Sequence, residues 1–312
     1  EMTILHPLTS NPDPAGSVNE ALYPDASNIL LIKSDNVSIK NLTVDGDNPL
    51  LNSGVLINGA DIDARNGIIT DSSSGIINNF YVDSVKVKNV FLKGISALTG
   101  GTFKFSGNTA DNIQGNIMST AISNSGGSGS VINNVISNST LAVSSVRSSG
   151  TVYFNNIITQ SGTGIRTIMN GEGTGNADTI RNNSISNSNE EGKGIVICSP
   201  FKSAVVKENI IINVDEGILN SGQSDNNIPV FTGNYIDGQN RAGSRGVVQT
   251  IIRPGMENSA VFGIFENNII KNNGSGFYVE CDSVSANNIT AHDNYISGNT
   301  KGVELMNNYL LV

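Results

Sequence analysis

The sequence predicts an all-β solenoid of about 10 to 12 coils, because two short phrases repeat along most of the chain. The first phrase is an Asn followed two residues later by an aliphatic residue, and it returns about every 25 residues. A quasi-period of this length indicates stacked structural units rather than one globular core. The phrase occurs at Asn134/Ile136, Asn156/Ile158, Asn183/Ile185, Asn209/Ile211, Asn234/Ile236, Asn268/Ile270 and Asn294/Ile296.

The second phrase is a Gly followed by an apolar strand, and it falls between the Asn positions. Each coil is therefore predicted to hold at least two short strands separated by turn residues. Within the first phrase the alternation has period two, so the Asn and the aliphatic residue share one side of a strand and the residue between them faces the other way. The second phrase occurs at Gly164-Ile165, Gly194-Ile195, Gly217-Ile218, Gly246-Val247, Gly276-Phe277 and Gly302-Val303.

Composition favours the same fold class and one domain. The chain has 34 Gly, many Asn and Ser, and few of the residues that form long helices, so no segment sustains a helical period. A solenoid grows by adding coils, so residues 1–312 are predicted to form a single elongated domain. No apolar run approaches the length of a membrane span, and no signal peptide opens the chain, which predicts no membrane insertion.

Two stretches resemble a known family. Phe265–Asn272, with its Asn-Asn pair ahead of Ile269 and Ile270, and Val37–Gly46 are similar to repeats of the right-handed parallel β-helix in the pectate lyase-like superfamily. The resemblance extends over nearly all of residues 29 to 312 and implies that fold, with buried Asn side chains stacked at a turn. Stacked amides can satisfy the backbone groups that a turn frees from the sheet, as well as each other.

The two ends and the early coils carry separate expectations. Four prolines surround the short apolar segment Thr3–Leu5, so residues 1–28 are predicted to form a partial first coil and a side loop. Solenoids normally carry terminal caps, and none precedes this segment, so we expect a chain excised from a longer surface protein. The early coils are expected to be anchored near Asn41, Asn66, Asn89 and, more weakly, Asn112.

The residue after each repeated Asn should face solvent, and it is apolar in most coils. Its outward neighbours, such as Asn155, Thr159 and Ser297, are polar. A single apolar column on a flat sheet, ending in tyrosines, is a surface suited to a polysaccharide chain. Two alternatives stay open: a loop covers the column, or the residues reflect strand propensity alone. The column consists of Val135, Ile157, Ser184, Ile210, Tyr235, Ile269, Tyr295 and Tyr309.

These observations lead to the hypothesis of a non-catalytic, adhesin-like module that binds a neutral plant or cell-wall glycan. The polygalacturonase-like series of Asn-Thr-Asp, Asp-Asp, His-Gly and Arg-x-Lys motifs does not occur in the sequence. The Asp-Pro-His motif of alginate epimerases does not occur either. A purely structural spacer is a further alternative. The carbohydrate-binding candidates are Tyr235, Ile269, Tyr295, Tyr309 and Ile210.

The alternative hypothesis is a polysaccharide lyase or epimerase that acts on a uronate-containing glycan. The longest interval between repeated Asn residues contains Arg241, Arg245 and Arg253. The resemblance implies this role, because β-helix lyases use Arg or Lys to neutralise a uronate and to abstract its C5 proton. The competing interpretation is a surface loop whose arginines pair with local carboxylates.

Metal and thiol chemistry have few candidates. Asp61 and Asp63 are expected on one strand face together with Arg65, and carboxylates spaced in this way can hold Ca²⁺, although an exposed acidic face is the competing interpretation. No other cofactor is predicted.

The two cysteines are predicted to be free thiols. Cys198 and Cys281 are expected three coils apart, at a distance of roughly 14 Å, which is too far for a disulfide.

Net charge limits the partners. The chain carries a formal charge of -9 and a pI of about 4.7. No basic stripe is present to compensate phosphate charge, which argues against nucleic acid. The same charge makes a neutral polysaccharide a more natural partner than a polyanionic one. The composition is typical of a secreted or cell-surface bacterial protein.

Overall fold

The protein is described here by a computed structural model that covers residues 3–17, 20–168, 176–187, 192–198, 204–221, 228–250, 262–280 and 288–306. Over these residues the chain is a parallel β-solenoid in which each coil adds one strand to each of three sheets. Two of the sheets have 11 strands and the third has 10 within the described ranges, which agrees with the predicted number of coils. The predicted fold class is confirmed, with three strands per coil where the sequence predicted at least two.

The three sheets are numbered by the order in which the chain first enters them. A coil with all three strands then runs through sheet 3, sheet 1 and sheet 2 in turn. Sheet 1 consists of Thr3–Leu5, Leu42–Asp45, Lys86–Lys88, Thr109–Ile113, Val135–Ser139, Ile157–Thr159, Ser184–Ser186, Ile210–Ile212, Tyr235–Asp237, Ile269–Lys271 and Tyr295–Ser297. Sheet 2 consists of Asn28–Ile32, Ala64–Thr70, Val90–Ala97, Thr120–Ser125, Leu141–Val146, Thr163–Ile168, Lys193–Cys198, Glu216–Ser221, Arg245–Gln249, Ser275–Glu280 and Lys301–Met306. Sheet 3 consists of Ser38–Lys40, Phe80–Asp83, Thr102–Ser106, Ser128–Ile132, Val152–Phe154, Thr179–Arg181, Val205–Lys207, Val230–Thr232, Phe262–Glu266 and Asn288–His292.

Two small elements lie outside these sheets. The antiparallel hairpin pairs Leu56–Ile57 with Ala60–Asp61, and a single turn of 3₁₀ helix spans Ser72–Ser74. Among the described residues, no helix has the length and apolar character needed to cross a bilayer.

Strands of neighbouring coils pair in register, so equivalent side chains stack in columns along the solenoid. In sheet 1, for example, Ile210 pairs with Tyr235 and Tyr235 pairs with Ile269. The inward columns form the core, where Phe231 and Phe265 stack with ring centroids 4.5 Å apart. Because of this in-register stacking, each position of a repeated sequence phrase forms a continuous row of similar side chains along the solenoid.

A ladder of buried Asn side chains runs along the corner between sheet 3 and sheet 1. The backbone N and Nδ2 of Asn183 donate to Oδ1 of Asn209 at 3.0 and 2.9 Å. Asn183 Nδ2 also donates to the backbone O of Tyr153 at 3.1 Å. The predicted stacking of buried amides is confirmed. The ladder consists of Asn108, Asn134, Asn156, Asn183, Asn209, Asn234, Asn268 and Asn294.

The residue before each ladder Asn explains why Asn so often occurs in pairs. Asn133, Asn155 and Asn182 have φ of 57°, 54° and 54°, a left-handed conformation that Asn tolerates better than most residues. The first Asn of a pair therefore turns the corner, and the second enters the ladder. Two residues suffice for this connection, for example between Phe154 and Ile157.

The predicted early anchors Asn41, Asn66, Asn89 and Asn112 are wrong as ladder positions. Asn41 and Asn89 have φ of 55° and 56° and turn corners. Asn66 lies within a strand of sheet 2, and Asn112 donates to Asn89 Oδ1 at a different corner. The first ladder residue is Asn108, whose Oδ1 accepts from the backbone of the preceding coil. Asn suits both a left-handed corner and a ladder, so local spacing cannot separate the two roles.

The Gly of the second phrase lies where sheet 2 begins and where neighbouring coils approach closely. A Cβ on Gly217 would lie 2.4 Å from the backbone O of Gly246 and 2.5 Å from Cγ2 of Ile236. Gly194 is crowded in the same way by the backbone O of Gly217 at 2.3 Å. Close packing of backbone against backbone is therefore the reason that this phrase begins with Gly.

Replacing Gly217 by Ala should lower the free energy of unfolding by about 1 to 2 kcal/mol, because the added methyl group forces the neighbouring coil to shift. Register places Ala121 and Ala142 in the same column, so the solenoid can adapt to one methyl group and the loss stays modest. Chemical denaturation measures the effect. Gly302→Ala is the matched control in this column, with nothing within 4 Å of its Cβ position. Equal losses in both variants would contradict the packing explanation.

The two cysteines are only partly covered by the structure. Cys198 has a free thiol and is buried in sheet 2. Cys281 lies outside the described residues, so the expected separation of the two stays a prediction.

Candidate functional site

A row of exposed, mostly apolar side chains runs along sheet 1, and we call it the outer column. Val135, Ile157 and Ile210 are 44%, 49% and 46% exposed, and Tyr295 is 63% exposed. The expectation that the residue after each ladder Asn faces solvent is confirmed, and the described chain leaves these side chains open. Tyr309 lies outside the described residues. The outer column consists of Val135, Ile157, Ser184, Ile210, Tyr235, Ile269 and Tyr295, which pair with one another in this order.

The ladder fixes the outward orientation of the side chains in the outer column. Asn209 and Ile211 are fully buried, so the residue between them, Ile210, must face outward on a strand with period two. The same geometry repeats in each coil at a spacing of roughly 4.8 Å. The outer column is therefore a regular row of side chains with a fixed pitch.

Uncharged polar groups flank the middle of the outer column on both sides. On the corner side, Asn133 and Asn155 are exposed, and Asn155 Nδ2 donates to Asn133 Oδ1 at 2.8 Å. On the opposite side, Thr159 and Ser186 pair in register and remain partly exposed. In the coils of Val135, Ile157 and Ser184 the outer column thus lies between two rows of amides and hydroxyls. In the coil of Ile210 the exposed Glu208 takes the corner position.

A shallow groove borders the outer column where sheet 1 turns into sheet 2. Among the residues that the structure describes, no charged side chain lines this groove. Gln160, Asn213 and Gln239 have φ of 48°, 55° and 51°, so each places an amide side chain at this corner. Sequence analysis missed the groove, although the polar residue after each sheet 1 strand was its signal. The groove is lined by Thr159, Gln160, Ser186, Asn187, Ile212, Asn213 and Gln239.

Tyr235 is held by its neighbours, in contrast to the exposed Tyr295. Tyr235 Oη donates to Asp237 Oδ2 at 3.0 Å, and Lys271 Nζ lies 4.9 Å from the Tyr235 ring centroid. Burial alone would raise the pKa of Asp237, but hydrogen bonds from the Gln239 backbone and from other neighbours lower it. The pKa of Lys271 is raised, chiefly by its interaction with Tyr235. Charged side chains thus lie beside Tyr235 on sheet 1, and Lys271 covers one side of the Tyr235 ring.

The arginines of the alternative hypothesis are engaged with protein groups. Arg241 Nε lies 2.6 Å from Asp215 Oδ1. The Arg245 guanidinium lies 3.6 Å from the ring centroid of Tyr278 and 3.8 Å from Glu216 Oε1. Arg253 lies outside the described residues. The two described arginines therefore pair with local carboxylates. This pairing agrees with the interpretation of a surface loop rather than with the catalytic one.

The expected strand face with Asp61, Asp63 and Arg65 is wrong. Asp61 belongs to the hairpin, where Oδ1 accepts from Ser53 Oγ at 2.5 Å. Asp63 is buried, and its Oδ2 accepts from the backbone N of Asn48 at 2.9 Å. Arg65 is buried in sheet 2 and donates to carbonyl groups of the N-terminal segment. Within the described ranges, no group of three or more His, Cys, Asp or Glu residues could hold a metal ion.

Comparisons with known proteins add one structural likeness. No family model and no curated protein matches the chain. A polygalacturonase from Erwinia carotovora ssp. carotovora is similar over 92% of this chain and 98% of its own, with 11% sequence identity and a TM-score of 0.27. A TM-score this low supports no conclusion about fold or activity. The parallel β-solenoid rests on the strand pairing described above.

Proposed function

We propose that the protein binds a neutral polysaccharide along the outer column and its bordering groove, without cleaving it. The observation that carries the proposal is the open, in-register row of mostly apolar side chains, which uncharged amides and hydroxyls flank from Val135 to Ser184. Such a face is larger than the singly scattered apolar residues normal on protein surfaces. The proposal places the protein outside the cell or on its surface, where such glycans occur.

The chemistry of a sugar chain matches this arrangement. A pyranose ring presents an apolar C–H face and a rim of hydroxyl groups. The apolar face can pack on Ile157 and Ile210, while the hydroxyls exchange hydrogen bonds with groups such as Thr159 and Gln160. The coil spacing of roughly 4.8 Å is close to the rise of one sugar in an extended glycan chain. Each coil can therefore meet one sugar, and weak contacts add up along the row.

The proposed contacts differ along the face. Ile210, Ile269 and Tyr295 are open and would pack directly on sugar rings, with Tyr295 as the aromatic platform. Tyr235 would contribute mainly its ring edge, because Asp237 and Lys271 fix its position. The uncharged groups beside Val135, Ile157 and Ser184, together with the net charge of -9, favour a neutral glycan over an acidic one.

Binding should weaken about tenfold or more in the double variant Ile157→Asn/Ile210→Asn, because two apolar contacts are lost from the middle of the row. Retention on insoluble cellulose and xylan, and affinity electrophoresis with soluble glycans, measure this. Ile76→Asn is the matched control, since Ile76 is exposed and lies away from sheet 1. Failure of the wild-type protein to bind any neutral glycan, or equal retention of both variants, would count against the proposal.

A simple assay distinguishes the lyase alternative from non-catalytic binding. A lyase creates an unsaturated product that absorbs in the near ultraviolet, so incubation with a uronate polymer should leave the absorbance unchanged if binding is non-catalytic. A steady rise that Arg241→Met abolishes would support the alternative.

A further inference from the structure

Two cations lie on the outward face of sheet 2, away from the outer column. Lys93 lies in the strand Val90–Ala97, and Arg166 lies in the strand Thr163–Ile168. Register aligns Ser96, Ser123 and Ser144 in one column that ends at Arg166. The Ser123 hydroxyl donates to Ser96 Oγ at 2.7 Å. Lys93 lies in a different column, in register with Thr120. The hydroxyls of Thr120 and Ser144 thus belong to the two coils between the cations.

The two side chains reach toward each other along the solenoid. Lys93 Nζ donates to the Met118 backbone O at 2.8 Å and to Thr120 Oγ1 at 3.0 Å, in the following coil. Arg166 Nε and Nη2 donate to Ser144 Oγ at 3.2 and 3.1 Å, in the preceding coil. All of these acceptors are neutral, and donors remain on both cationic groups.

Neither cation has a carboxylate partner among the described residues, whereas other Lys and Arg side chains do. Burial, together with the positive charges of Arg166 and Arg65, lowers the pKa of Lys93 to about 8. Burial also lowers the pKa of Arg166. Two half-buried positive charges without an anion between them are costly, unless a ligand supplies the negative charge.

We propose that Lys93 and Arg166, together with the Ser144 hydroxyl, bind an oxyanion, namely a carboxylate or sulfate group. Both cations are partly exposed, so such a group can reach them from solvent. Charge-assisted hydrogen bonds from the ammonium and guanidinium groups hold the oxygens, and the Ser144 hydroxyl adds a neutral donor. The site lies on a different sheet from the outer column and does not depend on glycan binding there.

Sodium sulfate and sodium acetate, compared with sodium chloride at equal ionic strength, test the proposal by calorimetric titration and by the melting temperature. At least one oxyanion should bind and raise the melting temperature where chloride does not. Lys93→Met and Arg166→Met should each weaken binding about tenfold or more, because each removes charge-assisted hydrogen bonds. A sulfated and a uronate-containing oligosaccharide then show which oxyanion the site prefers.

Lys104→Met is the matched control, because Lys104 is an exposed lysine on sheet 3 and its replacement changes the net charge equally. It should bind the oxyanion as the wild-type protein does. A second measurement uses the unaltered protein: the bound oxyanion should protect Lys93 from an amine-reactive reagent, as read by mass spectrometry. Equal effects of chloride and the oxyanions, unweakened binding in both Met variants, or no protection of Lys93 would overturn the proposal.

Discussion

Replacing Asn183 by Ala should lower the free energy of unfolding by about 3 to 5 kcal/mol, because several buried groups lose their partners at once. Asn183 Oδ1 accepts from the backbone N and Nδ2 of Asn156 at 3.0 and 2.8 Å. Asn183 Nδ2 donates to the Tyr153 backbone O at 3.1 Å and to Asn209 Oδ1 at 2.9 Å. Ala can replace none of these contacts, and the ladder is interrupted in mid-solenoid.

The neighbouring residue supplies a matched control. Asn182 has the same side chain but is exposed and left-handed, with φ of 54°. Asn182→Gly should therefore change the free energy of unfolding by no more than about 0.5 kcal/mol, because Gly adopts this conformation without strain. Urea unfolding followed by far-ultraviolet circular dichroism compares the two. Losses of similar size would show that the ladder is not what makes the corner stable.

The contribution of Asp178 to stability should fall by about 3 kcal/mol between mildly acidic and neutral pH. Burial raises the pKa of Asp178 from 3.8 to about 6, against the opposing effect of hydrogen bonds from Ser148 and Thr151. The folded state therefore holds the proton more tightly than the unfolded chain. The stabilising contribution is complete below the unfolded pKa and is lost as the pH rises through about 6.

Asp178→Asn should remove this dependence, because Asn is neutral throughout and its Oδ1 can still accept from the Thr151 backbone N, now 2.8 Å from Asp178 Oδ1. The measurement is the free energy of unfolding of both proteins at several values between pH 4 and pH 8. The difference between them should grow with pH in favour of the variant. Asp25→Asn, at an exposed position, should keep the wild-type profile. A constant difference across this range would refute the assignment.

The sequence was sufficient to predict the ladder and the outer column because both depend on local rules. Asn134 and Ile136 are two residues apart, so strand geometry alone puts them on one side and Val135 on the other. In-register stacking then extends the pattern through the chain. The predicted exposure of Ile210, Ile269 and Tyr295 needed no knowledge of distant contacts.

The features that sequence analysis missed depend on contacts between coils. Lys271, which lies over the Tyr235 ring and pairs with Asp237, belongs to the adjacent coil. The approach of Lys93 and Arg166 spans several coils, so no local spacing could indicate it. The position of short polar segments was ambiguous for another reason. Asp61 lies in a hairpin outside the three sheets, and the local sequence is equally compatible with a strand of the solenoid.

The two-residue corner between sheet 3 and sheet 1 has a consequence for how this fold can change. Sheet 3 to sheet 1 connections keep this length from Phe154–Ile157 to His292–Tyr295, whereas sheet 2 to sheet 3 connections differ widely, as between Ser125–Ser128 and Val146–Val152. Insertions and deletions can therefore accumulate on one edge of the solenoid while the geometry of the opposite face is preserved. A lineage or a protein engineer could remodel that variable edge freely without altering the periodic surface of sheet 1.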